Sequence, residues 1–184
     1  MVRTPAGLPV EDVAVVLEPT SGPPRPARGR ATIEQRDREF IPYMTIVQRG
    51  TEIDFPNRDP FKHHVYSFSP AKVFEIKLYA GKPASPVLFD KLGEVALGCN
   101  IHDWMAAHVL VVDTPWFAKT RGNGLAQINR LPAGNYRLHL WHPRQRAATP
   151  DLSVDLGAST RHFDISLDVA PQPVVQKPPQ EGGY

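Results

Sequence analysis

The sequence predicts an all-β protein made of two small sandwiches, and three observations predict it. Twenty prolines and 13 glycines in 184 residues exceed the usual combined share of roughly 12% and interrupt any long helix. The apolar runs, such as Val13 to Leu17 and His108 to Val112, fall far short of the roughly 18 apolar residues that span a bilayer. Stretches of apolar and β-branched residues return about every ten residues, with Gly or Pro between them, as in a sandwich or barrel. The bulk composition, 41% hydrophobic and 22% charged, is that of an ordinary globular chain. A net charge of +2 excludes nucleic-acid binding by bulk charge.

Taken in order, residues 8 to 18 end in a β-branched apolar run and are predicted to form a strand. Residues 19 to 30 carry four prolines and two glycines and read as a linker. Strands follow at Ala31–Gln35, Met44–Gln48 and Thr51–Phe55, with Gly50 turning the chain between the last two. Further strands are expected at His64–Phe68, Val73–Leu78, Pro86–Phe89, Glu94–Cys99 and Ala107–Val112. The texture changes after residue 113. Thr120–Gly124 and Leu131–Gly134 are turns, Leu125–Ile128 a short strand and Asn135–Trp141 an alternating strand. Asp151–Leu156 and Arg161–Val169 read as the last strands, and residues 170–184 as a disordered tail.

The chemistry concentrates in Gly98-Cys99-Asn100-Ile101-His102-Asp103-Trp104-Met105. Cys99 is the only cysteine, so no internal disulfide and no cysteine cluster for zinc or iron–sulfur is available. A thiolate, two imidazoles and a thioether are the ligand types of a mononuclear type-1 copper site. Cu(I) favours the soft sulfur and Cu(II) accepts thiolate and imidazole, so one geometry serves both states. The second histidine has two candidates upstream, His63 and His64, in Asn57-Arg-Asp-Pro-Phe-Lys-His63-His64. Neighbours on a strand face opposite ways, so only one of them reaches a metal.

Residues 31 to 113 resemble the cupredoxins, and most closely the amicyanin type. The resemblance rests on the C-x-x-H-x-x-M loop from Cys99 to Met105, and on Phe55-Pro-Asn57-Arg-Asp followed by His63. It implies a Greek-key sandwich holding one copper per chain on His63, Cys99, His102 and Met105. It also implies that Asn57 hydrogen-bonds to the cysteine loop and holds it. The chain departs from the family in having His64 where asparagine is frequent and Lys62 where proline is frequent.

The function implied by this resemblance is single-electron transfer between redox partners, a donor and an acceptor, by Cu(II)/Cu(I) cycling. His102 is the expected electron port, Ile101, Trp104 and Phe61 an apolar docking rim, and Lys62 and Arg58 a source of steering charge. The chain is expected to be a monomer and not an enzyme. Copper delivery and a metal-free sandwich binding module are the alternatives. A Cys-His hydrolase lacks an orienting third group, and paired His-x-His motifs of a multicopper oxidase are missing. His108, His139, His142 and His162 lack ligand spacing and read as structural or exposed. The resembled proteins imply a periplasmic location. Met1–Gly7 lacks a basic start with an apolar run, which fits a cytoplasmic chain, a mature one or a late start.

Residues 114–169 resemble the small transthyretin-like or carboxypeptidase-regulatory-like sandwich, on Gly122-Asn-Gly-Leu-Ala-Gln-Ile and Leu131-Pro-Ala-Gly-Asn-Tyr-Arg-Leu. Such modules begin with a strand like the one in residues 1–18. The expectation is a discontinuous second sandwich, with residues 31–113 inserted into it.

Overall fold

The computed structural model describes residues 1–22, 24, 28–83, 85–157 and 161–173. Linker residues 23 and 25–27 and residues 174–184 of the predicted tail lie outside the described residues. Among the described residues the protein is all-β, with no helix. The strands are β1 (Val2–Arg3), β2 (Ala14–Pro19), β3 (Arg30–Thr32), β4 (Glu34–Arg36), β5 (Glu39–Ile41), β6 (Met44–Gln48), β7 (Thr51–Asp54) and β8 (His63–Ser69). They continue as β9 (Lys72–Tyr79), β10 (Val87–Phe89), β11 (Gly93–Gly98), β12 (Ala106–Val112), β13 (Phe117–Lys119), β14 (Gly134–Trp141), β15 (Leu152–Leu156) and β16 (Ile165–Ser166).

One core lies beneath a five-stranded sheet ordered β6-β12-β11-β8-β9, opposed by β10-β7-β3 and the β4–β5 hairpin. Its alternating inward residues include Ile33, Ile53, Phe55, Val65, Phe89, Val95, Leu97, Ala107, Val109 and Val111, all buried. A second sheet runs β13-β2-β14-β15. It packs Ala14, Val16 and Trp141 against Met44, Leu110 and Val112 on the outer face of β6 and β12. Its far face buries Leu17, Tyr136, Leu138, Val154 and Leu156, while Val2, Val13, Leu140 and Leu167 close one end.

The unbroken apolar runs now have a cause. Strands covered on one side alternate, whereas strands covered on both sides read as continuous apolar stretches. β12 sends Ala107, Val109 and Val111 into one core and Leu110 and Val112 into the other. β2 likewise sends Ala14 and Val16 one way and Val15 and Leu17 the other. Two buried threonines tie the chain on either side of β13 to the segment around β2. Thr120 Oγ1 accepts from Val13 N–H and donates to Val10 C=O, each at 2.8 Å, and Thr114 Oγ1 donates to Leu17 C=O at 2.8 Å.

The structure corrects several expectations. Ala31–Gln35 is not one strand: buried Ile33 separates β3, which pairs in parallel with β7, from β4, which pairs with β5. Leu125–Ile128 forms no strand; Ile128 packs into the core beside Leu17 and Tyr136, so its apolar character marks an anchor. Of Arg161–Val169 only Ile165–Ser166 forms a strand, paired in parallel with β1, and Val169 adds an isolated antiparallel bridge to Gln145.

Candidate metal centre

β11 ends at Gly98 and β12 starts at Ala106, so residues 99–105 form the connecting loop. Met105 N–H donates to His102 C=O at 2.9 Å, closing the loop on itself. Gly98 stands at its entrance, under the Tyr66 ring. A Cβ there would sit 2.7 Å from the Tyr66 ring, which lies directly against the backbone next to Cys99. Any side chain would drive the ring off the sheet.

The loop brings Cys99 and His102 to His63, and one potential ligand atom from each lies within 4.8 Å of the others. Cys99 Sγ stands 4.0 Å from His63 Nδ1. His63 opens β8, and an irregularity follows: His63 pairs with Tyr79 and Val65 with Ile76, so Lys77 and Leu78 together oppose His64. His63 and Val65 point inward and are fully buried. His64 turns to the other face, where its Nδ1 meets Asn100 Nδ2 at 2.8 Å and its Nε2 lies 3.0 Å from Glu75 Oε1. Met105 occupies the same loop and is buried against the core that holds Cys99.

A carboxylate behind His63 sets its tautomer. His63 Nε2 donates to Asp59 Oδ2 at 2.6 Å, which leaves the Nδ1 lone pair facing Cys99. Asp59 also accepts the backbone N–H of Asp37 at 2.7 Å and of Arg38 at 3.0 Å. Those two residues turn the β4–β5 hairpin with positive φ angles of 55° and 59°, a conformation that costs non-glycine residues about 1 kcal/mol or more each. Asp59 therefore secures a strained turn and a histidine together. Arg38 C=O accepts from Trp104 Nε1 at 3.2 Å, and its guanidinium sits 5.4 Å from the centre of the Phe61 ring. The hairpin thus reaches both the His63 and the Cys99 segments.

The electrostatics follow the same contacts. Burial acts to raise the Cys99 thiol. Hydrogen bonding to His63, and the backbone N–H groups of His64, Ile101 and His102, outweigh it and bring the thiol down to about 7. Burial alone lowers His63, but Cys99 and Asp59 together raise it. Burial also opposes ionisation of Asp59, yet His63 and the two hairpin N–H groups hold its carboxyl below the ordinary value. His102 is lowered by burial and by the neighbouring charges of His63 and Arg38. Its Nδ1 is buried with no partner among the described residues.

These features constitute a fit for a soft metal ion: a thiol inclined to ionise, an imidazole with its lone pair turned to that sulfur, and a second imidazole with an orphaned nitrogen. A partially exposed aromatic collar surrounds them. Phe61 lies 5.1 Å from His63 and 5.9 Å from His102 between ring centres, and Trp104 lies 5.0 Å from His102.

Asn57 does not reach the cysteine loop, contrary to the role implied by resemblance. Its Nδ2 donates to Phe61 C=O at 2.8 Å and Tyr79 C=O at 2.9 Å, and its Oδ1 accepts from Asp59 N–H at 2.9 Å. It lies on the β7–β8 connection and shapes the turn that presents Asp59 and His63. The tie from β8 to the cysteine loop comes from His64 through Asn100. Asp59 escaped the sequence reading, although its spacing four residues before His63 was available. His108 and His142 lie at the junction of the two sheets, and His139 pairs with Asp151 at 2.9 Å.

No family model matches the chain, and no curated protein matches it. Among solved structures it is similar to a Cu-containing nitrite reductase from Thermus scotoductus SA-01, at 20% identity and TM-score 0.42, over 52% of this chain and 25% of that one. It is similar to a purple cupredoxin from Nitrosopumilus maritimus at 20% identity and TM-score 0.40, over 45% of this chain and 99% of that one. A reduced Cu(I) form of an amicyanin variant matches at 17% identity and TM-score 0.41, over 53% of this chain and 98% of that one. The chain thus spans a quarter of the nitrite reductase's length.

Proposed function

We propose that this chain is a type-1 copper protein that carries single electrons, in which His63, Cys99 and His102 would be the strong ligands and Met105 a weak fourth. The observation that carries the reading is the convergence of the Cys99 thiol with His63 Nδ1 and His102 on one buried point. Zinc would favour a fourth strong donor, whereas a thioether beside a thiolate and two imidazoles suits copper. Copper bound there would supply a Cu(II)/Cu(I) couple that accepts and releases one electron. The chain's own residues fix the donors: Asp59 orients His63, the loop closure from Met105 to His102 sets the second histidine, and Tyr66 over Gly98 limits movement at Cys99.

His102 is only part-buried, and Ile101 and Phe61 beside it are exposed apolar side chains. They supply an apolar rim through which a redox protein approaches, with Lys62 and Arg58 steering. Residues 31–113 form the copper unit, inserted between residues 1–18 and 114–169, a division supported by the pairing of β2 with β13 and β14. The second unit carries no evident catalytic set and serves to position the first. The reading implies a periplasmic place of work.

Cu(II) titration into the metal-free chain, followed by visible absorption and EPR, tests the proposal. The expected result is an intense thiolate-to-copper band with narrow hyperfine splitting at one copper per chain, lost in Cys99→Ser. An ordinary weak Cu(II) spectrum would overturn it in favour of copper delivery or a metal-free binding module.

A further inference from the structure

The outer face of the five-stranded sheet is covered over only part of its width. Over β6 and β12 the second sheet lies on Met44, Leu110 and Val112. Over β11 the face is open, and Glu94 and Ala96 are exposed. The step between the two halves is a cleft of about 520 Å³ whose lining includes Ser69, Glu94, Ala96, His108, Trp141 and Pro143. The cleft is open to solvent on one side and large enough to seat a small organic molecule.

Register places the lining groups relative to one another. Ala96 pairs with His108 and Glu94 with Leu110, so Glu94, Ala96 and His108 share one face. Glu94 and His108 are diagonal neighbours, about 7–8 Å apart at the backbone. Trp141, at the end of β14, stands over His108 with ring centres 6.3 Å apart. Glu94 is the only charged residue of the lining, and it has no hydrogen-bond or ion-pair partner among the described residues. The His108 side chain makes no hydrogen bond among the described residues either, and burial disfavours its charged form. The cleft therefore combines an aromatic floor with one uncompensated negative charge and no competing cation.

We propose that this cleft binds a small organic cation with an apolar body, the cationic head against Glu94 and the body over His108 and Trp141. Glu94 supplies the opposite charge for the head, and the apolar body packs on those parts of His108 and the largely buried Trp141 that line the cleft. An anion would meet only repulsion, and a neutral apolar molecule would leave Glu94 unused. The site is independent of the metal reading, since none of its residues belongs to the 99–105 loop.

The test is titration of benzyltrimethylammonium into the full chain, followed by backbone amide NMR shifts. Saturable shifts are expected at Gly93–Ala96, His108 and Trp141. Phenylacetate and benzyl alcohol should bind about tenfold more weakly or not at all. Glu94→Gln should lower the affinity by about three- to tenfold. Ala96→Leu, at an exposed position on the floor, should abolish binding without changing thermal unfolding. Absence of saturable shifts, equal binding of phenylacetate, or wild-type affinity in Glu94→Gln would each overturn the proposal.

Discussion

Among single residues, Asp59 is the side chain on which most of the centre depends. One carboxylate holds His63 in its tautomer and both N–H groups of the strained hairpin turn. Asp59→Asn removes the charge and the acceptor fork while keeping the size. Removing such an outer partner typically costs 10–100-fold in metal affinity, so copper affinity by chelator competition should fall by about that factor. The cluster of Cys99 and His102 was legible because a lone cysteine in C-x-x-H-x-x-M leaves few readings, and the structure brings His63 to it. Asp59 was not, since a carboxylate in a polar turn resembles any solvated loop residue until the fold turns it inward. Asn57 drew attention by its spacing from His63, but its hydrogen bonds run to Phe61 and Tyr79.

Among the strands, those of five or more residues were visible as alternating or continuous apolar runs. β1, β5 and β13, at two or three residues each, are too short to show any period and exist because tertiary neighbours pair with them. Leu125–Ile128 shows the reverse failure, an apolar pattern set by packing without pairing. Register accounts for Gly98 as well. It sits opposite Tyr66 in the β11–β8 pairing, and the ring occupies the space of a side chain. Gly98→Ala should destabilise the protein by about 1–3 kcal/mol, as overpacking does. Urea unfolding would measure it, and adding Tyr66→Leu should recover part of the loss. If Gly98→Ala unfolds at the wild-type midpoint, the close contact carries no energetic weight.

Across the molecule, buried side chains of the second sheet tie distant parts of the chain together. Thr120 is buried and satisfies both a backbone N–H and a C=O near β2. Thr120→Val keeps the shape and orphans both groups, each at about 1–3 kcal/mol, a loss that denaturant unfolding would register. His142 is buried as well. Its Nδ1 accepts Arg144 N–H at 3.0 Å, and its Nε2 has no partner among the described residues. Burial and the nearby Arg144 charge push its pKa down to about 4. Unfolded, it protonates near 6.5. Between those values the unfolded chain binds the extra proton, so this contribution is complete above about pH 6.5 and is lost as pH falls toward 4. His63, being raised, works in the opposite sense. Comparing wild type with His142→Asn isolates the first effect. The melting temperature of the metal-free variant should fall less between pH 7 and pH 4.

The pairing of β2 also bears on synthesis. Its hydrogen-bonding partners are Phe117–Lys119 and Tyr136–Trp141, so this apolar strand finds its neighbours only after all the strands from β3 to β12 have been made. At about 5–20 residues per second, the segment around Val13–Leu17 stays unpaired for several seconds while the residues between are made. During that interval it is an adhesive segment, open to chaperones or to the same segment on a neighbouring nascent chain. A chain released early, before Trp141, would retain that exposed strand without the partner that covers it.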